Sequence, residues 1–210
     1  MSQASLFDDQ PAAATRQRLA AADAEFDFFA NAFSAAEADR YLACLLRQTP
    51  WRQDQILIHG KRIPLPRLQA WYSDDAIPLS YSGMHIEALP LSVDLNQITR
   101  RVEELCETKF NGVLVTLYRD GNDSVGWHSD DEAEFGSDPI IASVSFGATR
   151  DFVIKHRRDA TLAPIKWPLT HGSLLLMGSG SQLHWTHHLP KRKRVTEPRI
   201  NLTLRQVQPI

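Results

Sequence analysis

The stretch GWHSDDE, residues 126–132, sets an imidazole two positions before a carboxylate and follows it with two more acids. In an extended chain every second side chain points to the same face, so His128 and Asp130 can converge on one ion while Ser129 points away. One imidazole and one carboxylate make two thirds of a facial triad, which leaves adjacent coordination positions of a non-haem iron open. The third ligand must come from elsewhere, and LHWTHHLP offers His184, His187 and His188, more than fifty residues downstream. Taken alone, the same acidic stretch also suits a solvated turn, and any one later histidine suits a surface or a hydrogen-bonded core.

The final apolar segment changes the balance. In RINLTLR, Arg199, Asn201, Thr203 and Arg205 fall on one face and Ile200, Leu202 and Leu204 on the other. An amphipathic strand with its polar face in water has this pattern. Two arginines framing an amide and a hydroxyl also form a multi-donor cradle for a carboxylate. If that face looks into a barrel, a small anion must compensate its charge.

These residues need a frame. Ser34 and Glu37 have capping-box spacing ahead of Tyr41, Leu42, Leu45 and Leu46, which predicts a helix ended at Pro50. A second helix is predicted where Leu95, Ile98, Val102, Leu105 and Cys106 repeat at helical spacing. Beyond Phe110 come short β-rich runs separated by Gly, Pro and Asp: GVLVTLYRDG, PIIASVSFG, RDFVIKH, APIKWPL, GSLLLMG and RINLTLRQV. Five or six strands without intervening helices predict an antiparallel sandwich, jelly roll or barrel, and helices supporting it make one α+β domain. Residues 1–25, Ala- and Gln-rich without an apolar stripe, read as a mobile tail or weak helix.

The chain has 210 residues and a net charge of −2, so a polyanion must be met by a local patch rather than by bulk charge. Residues 150–194 supply one, with nine Lys or Arg against two acids, whereas residues 1–40 carry seven acids against three bases. Cys44 and Cys106 lie in predicted helices and read as reduced thiols. The acidic, polar start is unlike a signal peptide, and no apolar run approaches bilayer length, so a soluble protein without membrane association is expected.

WHSDDE, PIIASVSFGATRDF, HGSLLLM, WTHHLP and PRINLTLR together resemble the AlkB family of nucleic-acid dealkylating dioxygenases, particularly its eukaryotic-type branch, from about Pro66 to Val207. The resemblance implies a double-stranded β-helix (jelly-roll) core at 111–208 and supporting helices with a nucleotide-recognition lid at 26–110, both within one domain spanning 26–210. It implies Fe(II) held by His128, Asp130 and His187, with 2-oxoglutarate and dioxygen as cosubstrates. Arg199 would meet 2-oxoglutarate and the metal-ligand carboxylate, and Arg205 would clamp the far carboxylate. Asn201, Thr203, Tyr118 and Thr116 would be their hydrogen-bonding neighbours. Most members have Asn at the position of Thr116, and a hydroxyl replaces only part of an amide's hydrogen bonding.

The implied activity is oxidative demethylation of alkylated DNA, at 1-methyladenine and 3-methylcytosine, with release of formaldehyde. The base must be flipped out or already unpaired. Tyr81 would stack on it, Glu132 would read its exocyclic amine, Asp131 would also belong to the base site, and Arg67 would lie beside the nucleotide. Lys155, Arg192, Lys193 and Arg194 would contact phosphates. His59, beside Ile58, matches the finger that duplex-type relatives insert, while WHSDDE and IIASVSFGATR are closer to the single-strand branch. Activity is expected on both forms, with single strands at least as good. The expected protein is a monomer in the cytoplasm, with the nucleoid in a bacterium or in the nucleus of a eukaryote. The alternatives are the same chemistry on RNA or another substrate, and a non-catalytic jelly-roll module that binds nucleic acid.

Overall fold

A computed structural model describes residues 14–58, 60–74, 76–81 and 84–208. Its frame is two antiparallel sheets with helices on one outer face. The larger sheet takes seven strands in the order β1 (Arg16–Leu19), β2 (Phe26–Phe29), β13 (Ser173–Met177), β10 (Ile141–Gly147), β15 (Arg199–Arg205), β8 (Gly112–Tyr118) and β5 (Leu68–Ser73). The smaller takes four: β12 (Ile165–Leu169), β11 (Arg150–His156), β14 (Trp185–Leu189) and β9 (Val125–His128). Two hairpins, β3 (Gln55–Ile58) with β4 (Lys61–Pro64) and β6 (Leu79–Tyr81) with β7 (Met84–Ile86), belong to neither. This is the expected jelly-roll core.

Both predicted helices form. Helix α1 (Ala35–Gln48) starts at the anticipated capping box: Ser34 Oγ accepts from the Glu37 amide at 3.3 Å, and Glu37 Oε2 accepts from the Ser34 amide at 2.8 Å. Helix α2 (Val93–Cys106) is capped by Ser92. Their apolar faces, Tyr41 and Leu45 on one and Leu95, Ile98 and Val102 on the other, join Val144, Phe146, Ile200 and Leu202 in a core on the outer side of the large sheet. A second core, with Ile141, Leu175, Met177, Phe152, Ile154 and Trp185, fills part of the space between the sheets. Each buried large apolar side chain contributes roughly 1.5–3 kcal/mol, so the first cluster holds the helices on the large sheet and the second holds the two sheets face to face.

Three expectations about boundaries are corrected. The segment read as a tail or weak helix contains β1, whose Arg16 and Arg18 both donate to the buried Asp27 carboxylate at 2.7 Å. Strands β2 and β5, from the part assigned to helices and lid, extend the large sheet, so the jelly roll is not confined to 111–208. That span also contains eight strands rather than five or six, because β9 and β14 are short and polar. The free thiols of Cys44 and Cys106 are half-buried. No helix among the described residues is long and apolar enough to cross a membrane.

The loop after β8 is fastened to the loop after β14. Buried Arg150 donates to the carbonyls of Asp120, Asp123 and Pro190 at 2.8–3.1 Å. The Gly121 amide donates to the Val195 carbonyl at 2.8 Å, and the Arg192 amide returns a bond to Gly121 at 2.7 Å. A Cβ at Gly121 would run into the Arg192 carbonyl, backbone that cannot swing aside. Gly121→Ala is therefore expected to destabilise the protein by about 1–3 kcal/mol, read as a lower urea midpoint with an unchanged slope.

Candidate active site

Strands β9 and β14 pair antiparallel with His128 directly opposite His187. Their imidazole centroids are 4.2 Å apart at 63°. Asp130 follows two residues after His128, its amide donating to Gln182 Oε1 at 2.9 Å, and the ligand atoms of all three side chains lie within 4.8 Å of one another. His128 Nδ1 lies 2.9 Å from the Gly126 carbonyl. A proton donated there leaves Nε2 as the free lone pair.

The electrostatics suit a cation. Burial pushes the His187 pKa down to about 3, with His128 adding to the effect and Asp130 opposing it, so the imidazole is neutral near pH 7. Burial alone would raise the Asp130 pKa, but Arg205, His187 and His128 outweigh it and hold the carboxyl at about 2. Two imidazoles and an ionised carboxylate in this arrangement can hold a divalent iron. The fit extends to Arg205, whose Nη2 donates to Asp130 Oδ1 at 2.8 Å with both side chains buried.

That contact corrects the division of labour between the arginines, because Arg205 rather than Arg199 meets the metal-site carboxylate. Arg199 stands six residues away at the other end of β15. Its Nη2 donates to Ser145 Oγ and Asn201 Oδ1, both at 2.9 Å, and the Tyr118 ring lies 5.3 Å from its guanidinium carbon. Its Nε and Nη1 have no hydrogen-bond partner among the described residues. Burial lowers its pKa to about 10, which still leaves it protonated at neutral pH. A buried guanidinium with unused donors calls for an anion.

Between the arginines runs the polar face expected of β15. Asn201 Nδ2 reaches Ser143 Oγ at 3.2 Å and Thr203 Oγ1 at 3.4 Å. Thr116 faces Asn201 across the β15–β8 register and is buried. A cavity of about 70 Å³ is lined by Thr116, Tyr118, Asn201 and Thr203 together with the histidines and Asp130. Ser143 and Ser145 were missed in the sequence, although their alternation in IIASVSFG was a usable signal. Gln182 carried none, since a helix of four residues, α3 (Ser181–His184), presents it.

A larger cleft, about 530 Å³, opens over the triad and includes Arg67, Trp127, Asp131, Glu132 and Phe135. Glu132 Oε2 is buried without a partner among the described residues, and burial followed by the Asp130 charge raises its pKa. Asp131 is bound at 2.8 Å by Arg157, which also donates to the Gln182 carbonyl. Tyr81 has its backbone in β6, but its side chain lies outside the described residues, as does His59. His184 stacks with His156 and His188 with Trp127, both away from the triad. Of the basic residues, Lys155, Lys193 and Arg194 are exposed. Arg192 differs from expectation, because Asp151 binds its guanidinium at 2.6 and 2.9 Å.

Residues 25–205 match the 2OG-Fe(II) oxygenase superfamily. The chain is 42% identical over 182 residues to mouse (Mus musculus) alpha-ketoglutarate-dependent dioxygenase alkB homolog 3, covering 82% of this chain and 63% of that protein. It is 39% identical over 186 residues to mouse DNA oxidative demethylase ALKBH2, covering 84% of this chain and 78% of that protein. The chain thus spans less than two thirds of the first relative's length and about four fifths of the second's. A solved structure of OsALKBH1 shares the fold at a TM-score of 0.64 and 15% identity, covering 91% of this chain and 100% of that one.

His187 carries a consequence for pH. Its folded pKa of about 3 lies below the ordinary 6.5, so the unfolded chain binds the extra proton in between. Stability of the metal-free protein should be fully present above about pH 6.5 and fall as pH drops toward 3. Urea unfolding at pH 7.5 and 5.0 checks this, and His187→Gln should flatten the difference.

Proposed function

Because the chain belongs to the AlkB family of the 2OG-Fe(II) oxygenase superfamily, we propose that it repairs alkylated DNA by oxidative demethylation of 1-methyladenine and 3-methylcytosine. The observation that carries the reading is the convergence of His128, Asp130 and His187 beside a cavity with the polar face of β15. Iron(II), when bound, supplies the oxidation: with dioxygen and 2-oxoglutarate it places a hydroxyl on the N-methyl carbon, yielding succinate and carbon dioxide.

The protein's own residues hold, orient and exclude. His128, Asp130 and His187 would hold the metal, and Arg205 keeps the Asp130 carboxylate ionised and aimed. Arg199 offers its free N–H groups to the far carboxylate of 2-oxoglutarate, a charge-assisted contact. Asn201, Thr203, Thr116 and Tyr118 orient the rest of that molecule. In the larger cleft Glu132 faces the base with an unused oxygen, an acceptor for the exocyclic amine shared by adenine and cytosine. Asp131 is committed to Arg157 and acts by holding the mouth of the cleft. Arg67 borders the nucleotide, and Tyr81 supplies the stacking ring. The hydroxymethyl group then leaves as formaldehyde: the C–N bond electrons return to the ring nitrogen as its lone pair, and the hydroxyl proton passes to solvent.

The deciding experiment supplies iron, 2-oxoglutarate and air to the protein with an oligonucleotide carrying one 1-methyladenine or 3-methylcytosine, followed by mass spectrometry. Loss of 14 mass units, about one CH₂, that requires 2-oxoglutarate and disappears in His187→Ala is the expected outcome. Methylated DNA left intact while 2-oxoglutarate is still consumed would remove DNA as the substrate, and an RNA oligonucleotide run in parallel tests the alternative. Arg199→Gln should raise the KM for 2-oxoglutarate roughly 10- to 100-fold, the loss expected for hydrogen bonds to a charged group. Its metal affinity should stay near wild type, whereas Arg205→Gln should lower metal affinity roughly 10- to 100-fold.

A further inference from the structure

Side chains alternate along β9, so Trp127 points away from the metal triad that its neighbour His128 joins. The indole therefore sits on the outer face of the four-stranded sheet. There it stacks on His188, with centroids 3.8 Å apart and rings 20° from parallel. The Lys155 ammonium lies 4.7 Å from the indole centroid. Yet Trp127 remains 42% exposed, unlike the fully buried Trp71 and Trp185. A large aromatic ring held in place but left open loses little conformational freedom when a second flat ring meets it.

The surroundings are cationic. Register pairs Lys155 with Thr186 and Val153 with both His188 and Lys166, which puts all of them on the same outer face as Trp127. Lys155, Lys166 and Arg192 stand there with Asp151, which pairs with Arg192 at 2.6 Å and Lys166 at 3.8 Å, and at the cleft edge Arg157 pairs with Asp131, so among the described residues Lys155 is the cation there with no ion pair to an acid. The face is also continuous with the active site, because Trp127 and Thr186 line the same cleft as His128, Arg67 and Glu132. Open aromatic surface beside basic groups on a sheet is the combination that binds single-stranded nucleic acid by stacking and phosphate contact.

We infer that this outer face is a second binding site, which takes the nucleotide adjacent to the one in the cleft and stacks its base on Trp127. The inference rests on the nucleic-acid reading above and deepens it. Lys155 has a flexible, exposed stem and moves from the indole to the phosphate as the base arrives. A base paired in a duplex cannot present its face to the protein while stacked in its own helix, so the site favours single strands. Trp127 is in this respect a specificity-determining residue, distinct from the ring that stacks on the base inside the cleft.

The test is direct binding of a labelled, unmethylated ten-nucleotide DNA to the metal-loaded full chain, measured by fluorescence anisotropy in single-stranded and duplex forms. Trp127→Ala should weaken single-strand binding about tenfold, within the range of one lost base–aromatic stack, and duplex binding by less than about twofold. Trp127→Tyr should recover most of the loss. Lys155→Gln should reduce the number of phosphate contacts read from the salt dependence by about one, and this variant decides the matter if Trp127→Ala does not fold. Equal single-strand affinity in wild type and Trp127→Ala, equal losses on both DNA forms, or an unchanged salt slope in Lys155→Gln would overturn the inference while leaving the catalytic reading intact. Failure of the wild type to bind either form would overturn both.

Discussion

The buried ion pair between Arg205 and Asp130 is the contact on which the site depends. Both side chains are removed from water, so neither charge is tolerable without the other. Breaking such a pair by removing one partner costs roughly 3–5 kcal/mol, because the remaining charge stays buried. The pair joins the end of β15 in the large sheet to the segment that leaves β9 in the small one. It thus couples the closure of the jelly roll to the ionisation of a metal ligand. The apolar core between the sheets and this ion pair act on the same alignment, one through packing and the other through two charges that must meet.

The two arginines of β15 illustrate how one strand distributes a charge. They share a face by alternation, yet six residues at roughly 3.3 Å each separate their backbones by about 20 Å. Asp130 answers the charge at one end, while the other guanidinium keeps two donor groups unused. A fold optimised only for stability would have matched both with protein acids. The unanswered one, with two buried donors free, is the observation behind its proposed part in holding a dianionic cosubstrate.

Much of this arrangement was legible in the residues. Local signals survived folding: the Ser34–Glu37 capping box, the helical spacing of Leu95, Ile98 and Val102, and the period of two in β15. Two members of the triad were legible because they are two apart, whereas the choice of His187 among three histidines came from the family resemblance. What could not be read depended on contacts distant in sequence. Nothing in RINLTLR says which arginine lies nearer residue 130, since both alternate identically and only the register of β15 with β8 and β10 decides. Strands β9 and β14 escaped because five residues or fewer, rich in His and Trp, carry too little alternation to outweigh the surrounding polarity. Their pairing with each other stabilises them, which is a tertiary cause. The Ala- and Gln-rich composition of the first segment hid β1, whose Arg16 and Arg18 are drawn into the sheet by the buried Asp27.

The shortness of β9 has a functional side. A strand at the edge of a small sheet, with one neighbour only, contributes His128 to the interior and Trp127 to the exterior in consecutive positions. Any displacement along β9 moves both side chains together, because a shift of one residue would exchange their faces outright. The register that sets His128 opposite His187 also fixes the height of Trp127 beside His188. Chemistry on one face thereby sets the geometry of recognition on the other. A longer, better-paired strand would hold His128 as well, but it would bury the edge through which the cleft reaches the outer face.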